Sequence, residues 1–247
     1  MNSFRRVGPT FLAVALIAGI AGCGKFGGPG SGSASADPLA GLSADAIARE
    51  ALANTSAATT VHLAGTVTSS GRTITISETI ADSGRQCAGT YSVRGQGTVQ
   101  LVMIGTTVWM KPDAAFWQAY GPPAAVLSQA NGKWIKSSTT TAGMASMARM
   151  CSLKAMASNT SVSAATADEG PITMVDGVPT VVITDTTDGS SLYATDTVHP
   201  LVTRLTGPSA GTAGQSTGSI ELGGYGAATT IKPPPASMVV TLSQLGL

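Results

Sequence analysis

Chemistry in a protein needs nucleophiles, bases and ligands at workable spacing, and this chain offers few of them. It has three cysteines, Cys23, Cys87 and Cys151, and two histidines, His62 and His199. The histidines fall in different expected strands, and neither has a cysteine or carboxylate beside it at ligand spacing. A zinc site needs three or four ligands, so no metal site is expected. No G-x-S-x-G elbow, H-E-x-x-H pair or phosphate-cradling glycine loop occurs. Serines without a positioned base are polar surface rather than nucleophiles. No catalytic residue is assigned, and the chain is not expected to be an enzyme. The chemistry that remains belongs to the cysteines.

Cys23 closes the apolar stretch FLAVALIAGIAGC, Phe11 to Cys23. Arg5 and Arg6 precede it, and no acidic residue comes before Asp37. A basic start, a short apolar centre and small residues at the end are the layout of a secretory signal. The run is shorter than the roughly 20 apolar residues that span a bilayer, which makes a transmembrane helix the weaker reading. Ile20-Ala21-Gly22-Cys23 resembles the bacterial lipoprotein signal, an aliphatic residue and two small ones before an obligatory cysteine. In that family the thiol receives a diacylglyceryl group and the signal is removed, leaving the cysteine as the first residue. The resemblance implies lipidation at Cys23, a covalent lipid in place of any cofactor, and anchorage at the extracytoplasmic face of the cell membrane. The competing reading is an ordinary signal peptide cut elsewhere, with Cys23 a bystander.

A lipid anchor gives the next segment a purpose. Each buried methylene contributes roughly 0.8 kcal/mol, and two acyl chains hold where one does not. From Gly27 to Asp37 the chain is glycine, serine and alanine with one proline and the closing aspartate. A tether from Cys23 to Asp37 has a root-mean-square span on the order of 20 Å. The expected organisation is therefore a signal at 1–22, the lipidated cysteine and tether at 23–38, and one folded domain at 39–247.

Composition sets the remaining bounds. The formal net charge of +1 falls to about −1 once Arg5 and Arg6 are lost, so no nucleic-acid surface is expected. Charged residues make up 11% of the chain, against an ordinary ~25%. The surface must then be rich in threonine, serine, glycine and alanine, similar to exported proteins of actinobacteria. With Cys23 lipidated, Cys87 and Cys151 remain as a pair. Outside the cytoplasm such a pair reads as a disulfide. The other reading is two buried thiols packed as small apolar groups.

The elements that would position these residues show in the periodicity. Ser43 and Asp45 mark a helix start, and the spacing predicts a helix over 43–56. The pattern then changes to period two. Val61, Leu63 and Val67 fall on one side of a first strand. Ile74, Ile76 and Ile80 fall on one side of a second, with threonines opposite and Ser69-Ser70-Gly71 as the turn. Strands are predicted at 86–94, 98–104 and 106–111 as an antiparallel meander. Pro112 to Gly121 interrupts it, a short helical turn runs to about 129, and Gly132 to Lys136 reads as a strand. Met144, Met147 and Cys151 lie at helical spacing in a second main helix over 142–158. Strands at 171–176, 178–186, 190–196, 199–206 and 217–223 come after it. A final strand or short helix is expected in the tail.

Some strands are apolar on both faces. Leu101 and Met103 oppose Val102 and Ile104, and Val181 and Ile183 oppose Val178 and Val182. Such strands need cover on both surfaces. One surface can take helices, and the other can line a dry core or an apolar cavity, the dry core being the usual state.

A lipoprotein cysteine, a Ser/Gly tether, one helix and a meander come in order. An aromatic turn at Phe116-Trp117, then Gly132-Lys133-Trp134-Ile135-Lys136, a Met-rich helix and a second meander complete the series. This order resembles the LppX/LprG-type lipoproteins of mycobacteria and other actinobacteria. Thr59 to Val67 and the Phe-Trp and Lys-Trp pairs carry most of the resemblance. It implies an α+β fold, an antiparallel half-open β-barrel with helices packed on its concave side. It also implies an acylated lipid or glycolipid as ligand. Val102, Ile104, Trp109, Trp117, Met144, Met147, Val181 and Ile183 are the candidate cavity residues, each with plain core packing as its alternative. The rival function is a ligand-free surface lipoprotein that binds another protein. A monomer is expected.

Overall fold

Alternation along the chain decides which face each strand buries, and directly opposed residues of neighbouring strands share a face. A computed structural model of the chain describes residues 37–141, 143–160, 163–208 and 217–246. Cys23, the signal expected at 1–22 and most of the expected tether lie outside the described residues. The described residues fall within one compact unit, Ala36–Leu247.

The first run is α1 (Ala44–Ser56), β1 (Val61–Ser69), β2 (Arg72–Ala81), β3 (Gln86–Val93), β4 (Gly97–Ile104) and β5 (Thr107–Pro112). Ser70 and Gly71 both have positive φ, 51° and 74°, the geometry of a two-residue hairpin turn whose twist suits its strands. Next come α2 (Ala114–Tyr120), α3 (Ala124–Ala130), β6 (Trp134–Ser138), α4 (Met144–Met150) and α5 (Leu153–Asn159). The last run is β7 (Ala167–Glu169), β8 (Thr173–Val175), β9 (Val178–Asp185), β10 (Ser191–Thr195), β11 (Val202–Thr206), β12 (Thr217–Gly223) and β13 (Val239–Thr241).

All these strands join one sheet of 13, ordered β13-β6-β5-β4-β3-β2-β1-β12-β11-β10-β9-β7, with β8 also paired to β9. Every pairing is antiparallel except β13 with β6. Two meanders meet where β1 pairs with β12, and the sheet does not close. The fold is α+β.

The register lays out an apolar face. One row runs Val61, Ile80, Cys87, Met103 and Val108, and all five are buried. The next runs Leu222, Leu63, Glu78, Gly89, Leu101 and Met110. Beyond β12, Val202, Leu192, Ala194, Val181 and Ile183 continue the same core, and Ile47, Ala48, Ala51 and Leu52 of α1 cover it. Over β1 to β3 and the start of β4 the opposite face is polar, with Thr66 beside Thr75 and Ser92 beside Thr98, while further along β4 and on β5 it carries Val102, Ile104 and Trp109. Threonine suits a pleated surface that faces water. Two bonds fasten α1 to the sheet side: Thr55 Oγ1 accepts from the Val202 backbone N–H at 3.0 Å, and Asn54 Nδ2 donates to the Pro200 carbonyl at 3.0 Å.

Three local expectations need correction. The helix predicted over 142–158 is two short helices, broken at Cys151-Ser152. Ser152 Oγ accepts from the Ala155 N–H at 3.1 Å, so a new N-cap starts α5 where periodicity alone would run on. Ser43 precedes α1 but does not cap it through its side chain; its hydroxyl donates to Asp45 Oδ1 at 2.6 Å. The interruption after Pro112 contains a helix, α2. Asp113 supplies its cap, accepting from Phe116 N at 2.7 Å and, from β4, Thr98 N at 2.9 Å.

Candidate functional site

Glu78 stands on the apolar side of β2, between Ile76 and Ile80 along the alternation, and is only 4% exposed. Its neighbours in the row are Leu63 on β1 and Gly89 on β3. A Cβ at Gly89 would fall 2.4 Å from Glu78 Cβ and 2.5 Å from the Ser77 carbonyl. Glycine is therefore what lets β3 approach β2 at the acid. Tyr91, two residues on, donates its hydroxyl to Glu78 Oε2. Burial is the main reason the Glu78 carboxyl is pushed up to about 7, with the tyrosine hydrogen bond pulling partly the other way. Burial also drives the Tyr91 hydroxyl up, and the neighbouring acid adds to it.

A disulfide lies beside this pair. Cys87 of β3 is bonded to Cys151 at the corner between α4 and α5, closing a separation of 64 residues. Both cysteines are fully buried. A Glu78 carboxylate oxygen and the two sulfurs lie within 4.8 Å of one another. Three such atoms resemble a ligand set, but sulfurs spent on each other offer no thiolate, and metal binding by cysteine requires one. The bond pins α4 and α5 over the middle of the sheet.

Between those helices and the sheet lies a cavity of about 330 Å³, lined by Leu63, Ile76, Glu78, Ile80, Arg149, Met150, Ala155, Met156 and Ile220. The register brings its sheet-side walls together. Gly65 sits in the row between Ile220 and Ile76, and a Cβ there would fall 2.1 Å from the Ser219 carbonyl oxygen, so glycine lets β12 close up on β1 beside the cavity. The walls are aliphatic or methionine, the floor carries one buried acid, and Arg149 and Met150 at the edge are exposed. Small-molecule pockets have this character, mostly apolar with a few placed polar groups.

None of the eight cavity residues expected from the sequence lines this space. Val102 pairs with Trp109 on the face opposite Leu101 and Met103, and Ile104 shares that face. Val181 and Ile183 are fully enclosed in the main core, and Met144 and Met147 pack against its edge. Trp117 belongs to a second cluster with Val126, Ala130, Ile135, Val240 and Leu245. The Met-rich segment still contributes, through Met150 and Met156. Glu78 was legible in one respect: in Ile74-x-Ile76-x-Glu78-x-Ile80 a lone acid occupies an isoleucine face. His62 bonds Thr79 on the polar face at 3.1 Å, and no metal-type cluster includes a histidine among the described residues.

No protein-family model matches this sequence, and no curated protein matches it. Solved structures similar to it include LprF from Mycobacterium bovis, at 14% identity and a TM-score of 0.49, covering 78% of this chain and 97% of that one. Another is the Mycobacterium tuberculosis lipoprotein LppX, at 12% identity and a TM-score of 0.46, covering 76% of this chain and 98% of that one. LppX, whose name the resemblance read from the sequence carries, is thus among the solved structures to which this chain is similar.

Proposed function

We propose that this protein is an exported lipoprotein, anchored through a diacylated Cys23 at the extracytoplasmic face of the membrane. Its sheet acts as a half-open barrel with helices across its concave side, and it binds or carries an acylated lipid without catalysis. The observation that carries this reading is the aliphatic cavity under α4 and α5, with Leu63, Ile76, Ile80, Met156 and Ile220 in its walls. Methionine adapts to irregular apolar guests, and each methylene drawn from water contributes roughly 0.8 kcal/mol. The lipoprotein-type cysteine and tether would hold such a cavity close to acyl chains. Among the described residues no helix is long and apolar enough to cross a membrane.

Uptake tests the reading. Protein stripped of lipid and refolded with its disulfide intact should take up acyl lipids in stoichiometric amount. Refolded protein that takes up none would overturn it.

A second reading has one observation in its favour. The β8–β9 hairpin and the residue leading into it carry exposed Met174, Val178 and Ile172, a kind of apolar exposure that marks interaction surfaces when contiguous. A surface lipoprotein that binds another envelope protein through that hairpin would show it, and would take up no lipid.

A further inference from the structure

We propose that the cavity over Glu78 takes an uncharged, single-chain amphiphile with a hydroxyl-bearing head, the head resting on the Glu78 carboxyl and the chain running out past Met150, Met156 and Ile220. This rests on the lipid-binding reading above and narrows it to a ligand class.

Size gives the single chain. At about 330 Å³ the cavity stands at the small end of ligand pockets, which run from ~300 to ~1,000 Å³. Chemistry gives the head. The floor has one polar side chain, and its Oε2 accepts from Tyr91. The groups around Glu78 can be named element by element. β3 offers Tyr91 and the Cys87 sulfur, the α4–α5 corner offers the Cys151 sulfur, and β1, β12 and α5 offer Leu63, Ile220, Ala155 and Met156. The charged side chain besides Glu78 among the lining residues is Arg149, on α4 at the exposed edge. No basic group contributes to the state of the Glu78 carboxyl, which burial and Tyr91 govern.

An anionic head lowered to that floor would meet an acid and no cation. An ammonium head would meet a carboxyl that is neutral below about pH 7, and burying an ion without a charged partner is costly. A hydroxyl both donates and accepts, so it can bond Glu78 in either protonation state. Met150 and Met156 supply pliable walls for the chain.

Three probes of equal chain length separate the cases, titrated by calorimetry into lipid-free full-length mature protein: 1-monolauroylglycerol against laurate at pH 8, and 1-monolauroylglycerol against dodecylammonium at pH 6, where the Glu78 carboxyl keeps its proton. The glyceride should bind at least about tenfold tighter than laurate, the scale of one well-placed hydrogen bond to a charged group. It should also bind tighter than dodecylammonium. Glu78→Gln, which keeps the shape and both hydrogen-bonding roles, should hold the glyceride within about threefold. Glu78→Leu should lose about tenfold for the glyceride and nothing for laurate. Equal or tighter binding of laurate or dodecylammonium would overturn the proposal. So would Glu78→Leu binding the glyceride as well as the parent, since the chain end rather than the head would then lie at Glu78. Should none of the three bind while acyl lipids of larger head or more chains do, this inference falls and the lipid-binding reading stands. Should no lipid of any kind bind, both fall.

Discussion

Glu78 makes stability depend on pH in a direction opposite to that of most carboxylates. Its carboxyl is pushed up to about 7 from an ordinary 4.5. Between those values the native protein keeps a proton that the unfolded chain has released, so stability falls as pH rises through the window. The loss is complete above about pH 7 and is on the order of 3 kcal/mol. Denaturant melts of the parent and Glu78→Gln at pH 5 and pH 8 measure it. The parent should lose that amount relative to the variant between the two pH values, and parallel behaviour would refute the assignment. Tyr91→Phe removes the hydrogen bond that favours the carboxylate, and should move the loss to higher pH. The face occupied by Glu78 was legible in the alternation of β2. Its partner was not, because Tyr91 reaches it through the β2–β3 register, which pairs Ile76 with Tyr91 and sets Gly89 against Glu78. Val102, Ile104 and Trp109 show the converse. Their apolar character was plain, but two-sided strands do not say which face holds a cavity.

At the scale of elements, the disulfide determines where α4 and α5 rest. Cysteine parity and compartment pointed to the Cys87–Cys151 bond, and the structure contains it. Cross-linking across 64 residues removes unfolded-state freedom worth about 4 kcal/mol in the loop-entropy account. Reduction should lower stability by an amount of that order. It should also raise hydrogen exchange in α4 and α5 well before β1–β4, whose strands keep their ladders. Uniform exchange across helices and sheet would show that the bond does not hold the helices locally. The strands were legible almost throughout, since hairpins with period-two patterns and glycine turns state their own register. The break at Cys151-Ser152 was not. Met144, Met147, Cys151 and Lys154 keep helical spacing across it, and only the Ser152 cap and the cross-link to β3 interrupt the helix. The helix α2 was hidden for a related reason: its cap, Asp113, is also bound to Thr98 on β4, a tertiary contact that no local pattern shows.

In the proposed function the whole molecule joins a membrane address to a cavity. The proposed address rests on Ile20-Ala21-Gly22-Cys23 and the tether, the cavity on the apolar row of the sheet and on helices held by a disulfide. Either half without the other would leave the design unexplained: an anchor alone needs no apolar cavity, and a cavity alone needs no tether. The central claim is that the cavity holds lipid in the cell. Native mass spectrometry of the full mature protein, extracted gently from its own envelope, tests this most directly. Two mass increments are expected, a covalent diacyl group retained through denaturation and a second species of lipid mass lost on denaturation. A protein that flies without the second species, and gains none on incubation with envelope lipids, would contradict it.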